Sequence, residues 1–274
     1  MTAAHSLVVL FGGLAFAVTT YQSEITDWRR AREAALKAEG GWLSVAGLFW
    51  LHDGPNRFGK DPGNDIVLPD GPDKAGAFTL KDGKVTVTGA DGATRQVELD
   101  SKDVVKVGRL SLYAIKRSDK YGIRLKDPDS EYVHAFHGIE YYAPNEAYKV
   151  KARFVAEPRK IPILNIIGQT EDSECPGYAV FHLQGKEFRL YPIIEEPGAK
   201  ELFYMFRDQT TGKETYGAGR FLYSAMPVNG EVTLDFNKAY NPPCAFTPFA
   251  TCPLPPKENH LAVRLEAGEK KYGH

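Results

Sequence analysis

The densest group of side chains with chemistry to offer lies towards the C-terminus: Tyr216, Arg220, Asp235, Asn237, Tyr240, Asn241 and Phe249. Arg220 carries a permanent charge and a planar fork of donors. On a strand over 232–236, Asp235 would point to the face opposite Leu234 and Phe236, and Asn237 would follow it on the same side. Asp235, Asn237 and Asn241 can then meet Arg220 on one edge of a sheet, with Tyr216, Tyr240 and Phe249 as walls. Such a set can bind a small polar molecule or a cation. It can equally satisfy the backbone of a neighbouring loop, because buried polar groups require partners. That loop is residues 241–256, NPPCAFTPFATCPLPP, with six prolines in sixteen residues. Proline donates nothing to a β ladder. The segment therefore reads as an ordered loop, with Phe246, Phe249 and Leu254 folding it onto the body.

Other chemistries find less support. A hydrolase would need a nucleophile or an activated water, and Asp235, Glu269 and Cys244 are the groups available for it. No Gly-x-Ser-x-Gly elbow, Walker loop, GxGxxG or HExxH occurs. Cys175 in SECPGY precedes a strand that carries His182 away from it. His134 and His137, with Glu131 or Glu140, have the ligand types for a metal but no zincin spacing, and read as exposed histidines. No metal and no cofactor is expected. Of the three cysteines, Cys244 and Cys252 either form a disulfide or stand as two buried thiols on a rigid loop. A structural protein of the cell envelope is the third function class.

Composition narrows the partners. The 34 basic and 35 acidic side chains leave a net charge of -1, with no basic stripe, which argues against nucleic acid and anionic membranes. Aromatics make up 12 % of the 274 residues. They favour strands and core packing, and would also suit a pocket that stacks rings or sugars. Residues 6–19 are uncharged and mostly apolar, and Ala15-Phe16-Ala17 fits a signal-peptidase site. No Lys or Arg precedes the run. Residues 1–20 read as a signal peptide, or 6–19 as a retained anchor, of an exported protein, periplasmic or secreted; an ordinary buried strand is the third reading of the segment. No stable membrane span is expected beyond that segment.

The elements that must position these residues are mainly strands. One helix is legible over 26–38, capped by Thr26 or Asp27, with Trp28, Ala31, Ala35 and Leu36 near one face and Gly40-Gly41 as its stop. Residues 42–51 are an apolar strand buried on both faces. Short alternating runs follow at 78–80, 85–88, 111–116, 148–156, 178–183, 188–191, 202–206 and 232–236. Asp82-Gly83, Gln184-Gly185 and Thr211-Gly212 mark turns between them. The fold class is mostly β: sandwich or barrel-like antiparallel sheets, one N-terminal helix and a Pro-rich ordered C-terminal loop. Residues 21–274 form a single domain, with a weak seam near 157 where a strand ends before Ile161.

Two stretches resemble known families. FGKDPGNDIVL at 58–68 looks like the opening of a forkhead-associated domain, but Lys60 stands where that family reads phosphate with Arg, and its Ser and His are absent. The stretch reads better as a β-turn in which Asn64 and Asp65 bond their own backbone. The second resemblance is broader. GRFL at 219–222, LDFNKAYNPPCAFTPFATCPLPP at 234–256, GWLSVAGLFWL, GQTEDSECPGYAVF and ELFYMFRDQTTGKETY together resemble the bacterial and archaeal domain-of-unknown-function family 1684. The likeness spans residues 27–272. His134 and His137 depart from it, since that family often carries Arg there. The resemblance implies one family-wide domain and brings no activity with it.

Overall fold

Residues 13–100 and 103–273 are described by the structure, a computed structural model. Residues 6–12 of the uncharged N-terminal run lie outside these residues, and from Gly13 the backbone is helical. Helix α1 (Gly13–Lys37) therefore begins well before the expected cap at Thr26 or Asp27. Thr26 bonds back to the Gln22 carbonyl at 2.7 Å inside the helix, and Asp27 pairs with Arg30 one turn on. The stop falls as expected. A Cβ on Gly41 would lie 2.3 Å from the carbonyl oxygens of Ala35 and Leu36, so only glycine lets the chain turn back against the helix end. No helix among the described residues is long and apolar enough to cross a membrane.

A short 3₁₀ turn (Trp42–Ser44) precedes β1 (Val45–Trp50), so the expected strand starts three residues late. There follow β2 (Gly54–Gly59), β3 (Ile66–Val67), β4 (Gly76–Lys81), β5 (Lys84–Gly89), β6 (Thr94–Gln96), β7 (Val105–Val107), β8 (Leu110–Arg117) and β9 (Lys120–Lys126). They form two sheets, in the orders β1-β9-β8-β7 and β3-β2-β4-β5-β6, antiparallel except for the β2–β3 pair. Asp82 and Gly83 both have positive φ (50° and 70°), the type I′ geometry that joins β4 to β5 without splaying them. Phe58, Phe78 and Val87 from one sheet pack on Leu112, Ile123 and Leu125 from the other. Alternation then directs Arg124 and Lys126 of β9 to the opposite face. In the β2–β3 loop, Asn64 donates to the Asp61 and Asp73 carbonyls and Asp65 accepts from the Arg57 amide.

The second half contains α2 (Glu131–His134), then β10 (Lys149–Leu164), β11 (Thr170–Leu183), β12 (Lys186–Leu190), β13 (Glu201–Phe206), β14 (Arg220–Ala225) and β15 (Glu231–Asp235). One sheet runs β12-β11-β10-β15, and β13 pairs with β14 in a separate ribbon. Among the described residues no sheet closes into a barrel. The expected strand end near 157 is not there: β10 continues to Leu164, and a register shift between Ala156 and Arg159 accommodates Pro158. The β13–β14 ribbon packs on both faces but leaves Tyr223 partly exposed. Leu202, Tyr204, Phe206 and Leu222 face the main core with Phe181, Leu234 and Phe236, while Phe203, Met205 and Phe221 face Ile161, Ile163 and Cys175.

The Pro-rich stretch is ordered, as the sequence implies. Thr247 donates to the Val45 carbonyl at 2.9 Å, and the Leu254 amide to that of Leu164 at 2.7 Å. These bonds tie the loop to both halves of the chain.

Candidate functional site

The polar residues singled out from the sequence divide among separate bracing networks. Arg220 is 1 % exposed. Its guanidinium donates to the carbonyls of Ala267 and, at 3.0 Å, Leu265, and lies 3.3 Å from Asp208. Asp208 in turn accepts from the Leu265 amide at 2.7 Å and from Thr210. Arg220 therefore fastens the C-terminal segment to β14. Burial lowers its pKa, and Asp208 opposes that shift.

Asp235 and Asn237 do not share a strand face. The chain enters a 3₁₀ turn (Phe236–Lys238) straight after β15, and Asp235 caps it by accepting from the Asn237 amide at 3.2 Å. Both side chains bond the Tyr21 hydroxyl, at 2.9 and 2.8 Å, and Asn237 also exchanges bonds with the Asn145 backbone. This cluster pins α1 to the main sheet. Asn241 donates from its amide to Glu269 at 2.7 Å and from its side chain to the Lys270 carbonyl at 2.8 Å. Among the described residues no hydrogen bond joins Arg220 to Asp235, Asn237 or Asn241. Tyr216 donates to the Cys244 carbonyl at 2.9 Å, and Phe249 packs edge-on against Tyr132. His134 sits on the surface beside Asp129, and no group of three metal-ligating side chains occurs among the described residues.

Tyr240 and Cys252 instead open onto a cleft of about 530 Å³. Helix α1 supplies one wall with Trp28, Ala31 and Arg32, which share a face at i, i+3 and i+4. The β13–β14 ribbon supplies the other with Phe203, Phe221 and Tyr223. Trp42, Arg117 and the Pro-rich residues Pro243, Thr251 and Pro253 close the ends, and Glu195 stands at the rim. The rings are ordered. Phe203 and Tyr223 are direct cross-strand partners with centroids 4.9 Å apart, and Tyr223 stacks on Tyr240 at 6.2 Å and 12°. Phe221 meets Tyr240 edge-on at 5.8 Å, and the Arg32 guanidinium lies 4.6 Å over the Tyr240 ring. Tyr223 donates to Glu195 at 2.6 Å yet remains 38 % exposed.

Burial raises the Tyr223 and Tyr240 hydroxyls above the usual tyrosine range, so both are neutral donors at ordinary pH. The three cysteines are free thiols. Cys252 Sγ accepts the Cys244 amide at 3.1 Å; its own pKa is raised, first by the bond with the Cys244 thiol and then by burial. That leaves it a poor nucleophile. Asp235 and Glu269, the carboxylates a hydrolase would draw on, do not line the cleft.

The family described as "Protein of unknown function (DUF1684)" matches residues 134–270. The chain belongs to this family. The DUF1684 segment carries Glu195, the β13–β14 ribbon, Tyr240 and the Pro-rich loop, whereas Trp28, Arg32, Trp42 and Arg117 come from residues before it. The solution NMR structure of an uncharacterized protein from Haloarcula marismortui is similar, with 32 % identity over 50 % of this chain and 78 % of that chain and a TM-score of 0.43. No curated protein matches the chain.

Several residues of the DUF1684 cleft escaped the sequence reading. Trp28 and Ala31 were legible as one helix face, which periodicity alone assigns to a core. Phe203, Phe221 and Tyr223 alternate with core residues, and nothing in a period of two says that the second face is open. Glu195 and Arg117 carry no local signal at all.

Proposed function

We propose that this protein binds a small molecule with a planar apolar face and polar substituents, in the cleft between α1, the β13–β14 ribbon and the Pro-rich loop. The observation that carries this reading is the stack Phe203–Tyr223–Tyr240, whose middle ring remains 38 % exposed beside an unfilled apolar space. An apolar pocket with a few converging polar groups is the usual form of a small-molecule site. Arg117 and Glu195 offer a cation and a carboxylate at its edge, and the Tyr223 hydroxyl orients the latter. Asp235 and Glu269 are committed to bracing, which favours binding over hydrolysis.

Residues 21–274 act as one unit in this reading, because the cleft takes walls from both halves of the chain. The uncharged run at 6–19, ending near Ala15-Phe16-Ala17, supports an exported site of action. N-terminal sequencing of the mature protein from the cell envelope tests that part.

Two of the three tryptophans, Trp28 and Trp42, line the cleft, so intrinsic fluorescence reports on it directly. Titration with benzoate, benzamide and phenyl glycosides should give saturable quenching that Tyr223→Ala abolishes while the fold persists. Quenching that survives Tyr223→Ala, or none with any of these compounds, would sink the reading.

A further inference from the structure

Beside the aromatic cleft lies a smaller chamber of about 210 Å³, and Trp42 and Arg117 border both. Its floor is the outer face of β8 and β9. Alternation on β8 places Tyr113, Ile115 and Arg117 on that face, and on β9 it places Arg124 and Lys126 there, with Tyr113 directly opposite Arg124 in the ladder. Trp42 borders it, and Thr251 of the Pro-rich loop accepts from Arg117 at 3.0 Å beside it.

The charge in this chamber is unbalanced. Arg124 is 3 % exposed, yet it forms no ion pair among the described residues. Among the described residues its terminal nitrogens reach only the hydroxyls of Tyr113 and Thr251, each at 3.5 Å, and its Nε has no partner. The guanidinium is held between aromatic rings, 5.1 Å from Trp42 and 5.9 Å from Tyr113. Lys126 donates to the Gly40 carbonyl at 2.7 Å and pairs with no carboxylate among the described residues. Burial, and then the charge of Arg124, lowers the Lys126 pKa. Arg117 is paired with Asp100 at 2.9 Å, and Asp100 is the one acid lining the chamber among the described residues. Three cations thus face one carboxylate.

Burying a charge without a counter-charge is costly, and proteins avoid it unless the charge has a use. Aromatic rings on two sides hold the Arg124 guanidinium while its Nε has no partner among the described residues and its terminal nitrogens make only long contacts, an arrangement suited to an oxyanion. We infer that the chamber formed by Arg117, Arg124 and Lys126 is an oxyanion site that takes the carboxylate or phosphate of a small molecule whose planar body lies in the adjoining cleft. The second half of this inference rests on the cleft being a ligand site; the oxyanion site itself does not.

The experiment uses the full chain and inorganic phosphate at constant ionic strength, with chloride as the control anion. Phosphate should raise the melting temperature, since a ligand that binds only the folded state stabilises it. Arg124→Met should melt no lower than the native protein in chloride, because it removes an unpaired buried charge, and should lose the phosphate effect. Lys126→Met should reduce it. A phosphate effect that is absent, or that persists in Arg124→Met, overturns the oxyanion site, as does a marked loss of stability of Arg124→Met in chloride, which would make the residue structural.

Fluorescence with a matched pair of probes separates this inference from the cleft reading. Benzoate should bind about tenfold more tightly than benzamide, the preference expected for a charge-assisted hydrogen bond, and Arg124→Met should erase the difference. Equal binding of the two overturns the anion preference and leaves the cleft standing. Phosphate stabilisation without quenching by either probe or by the phenyl glycosides overturns the cleft and leaves the oxyanion site standing.

Discussion

Arg32 Nε donates to Glu269 Oε1 at 3.0 Å, and the carboxylate it holds has no exposure to solvent. The second carboxylate oxygen accepts the Asn241 amide at 2.7 Å, and a further Arg32 nitrogen reaches the Asn241 carbonyl at 3.0 Å. One ion pair thereby ties α1, the start of the Pro-rich loop and the C-terminal segment together beneath Tyr240. Burial raises the Glu269 pKa, against the pull of Arg32 and the Asn241 amide. Removing one partner of such a pair leaves the other buried and unpaired. Glu269→Ala should therefore lower the unfolding free energy by about 3–5 kcal/mol in urea titrations. Glu269→Gln keeps the acceptor for Asn241 and should cost less. A Glu269→Ala protein as stable as the native chain would show that the pair contributes nothing to the fold.

Arg220 invites a second test, because its residue type suggests ligand recognition while its surroundings suggest bracing. Its terminal nitrogens bond Asp208, Leu265 and Ala267, and Arg220 does not line the cleft. Arg220→Ala should destabilise by about 3 kcal/mol or more, read as a fall in melting temperature by circular dichroism. An unchanged melting temperature together with lost fluorescence quenching would instead return Arg220 to the ligand site.

The cleft tyrosines set an alkaline limit. Unfolded tyrosine ionises near pH ~10. In the folded chain burial pushes Tyr223 and Tyr240 above that, so the folded state keeps protons that the unfolded state releases. Their contribution to stability is whole below pH ~10 and declines as pH rises beyond it. Absorbance at the phenolate band should show these two rings titrating only as the protein unfolds. A normal reversible titration of all tyrosines in the folded state would contradict this, with Tyr223→Phe and Tyr240→Phe assigning the signals.

Thiol reactivity should follow environment. Cys175 is buried and its pKa is raised by that burial, and Cys252 is raised by its bond with Cys244 and by burial. Cys244 is half-buried, and the same bond with Cys252 lowers its pKa. Iodoacetamide should modify Cys244 first in the native protein, with the other two following only on unfolding. Mass spectrometry of timed digests reads the order, and faster labelling of Cys252 would reverse the assignment of thiolate character.

The sequence by itself determined the local pieces. Short apolar-rich runs became β5, β8, β13 and β15 to within a residue or two, whereas β14 was not among the expected strands. Asp82-Gly83 became a hairpin turn, Gly41 ended α1, and the prolines kept 241–256 out of the sheets while its phenylalanines ordered it. Tertiary structure decided which polar groups meet. Asp235 and Asn237 stay together in the turn just after β15, bonded to each other and to Tyr21, while the terminal nitrogens of Arg220 bond a segment forty-five residues away, at Leu265. Pro158 did not end β10 because a bulge absorbed it. The cleft joins Trp28, Arg117, Tyr223 and Thr251, which no spacing connects, and the charge imbalance at Arg124 exists only once β8, β9 and the Pro-rich loop are packed together. Local patterns record which face of an element is apolar; whether that face is covered, and by what charge, depends on contacts between residues distant in the chain.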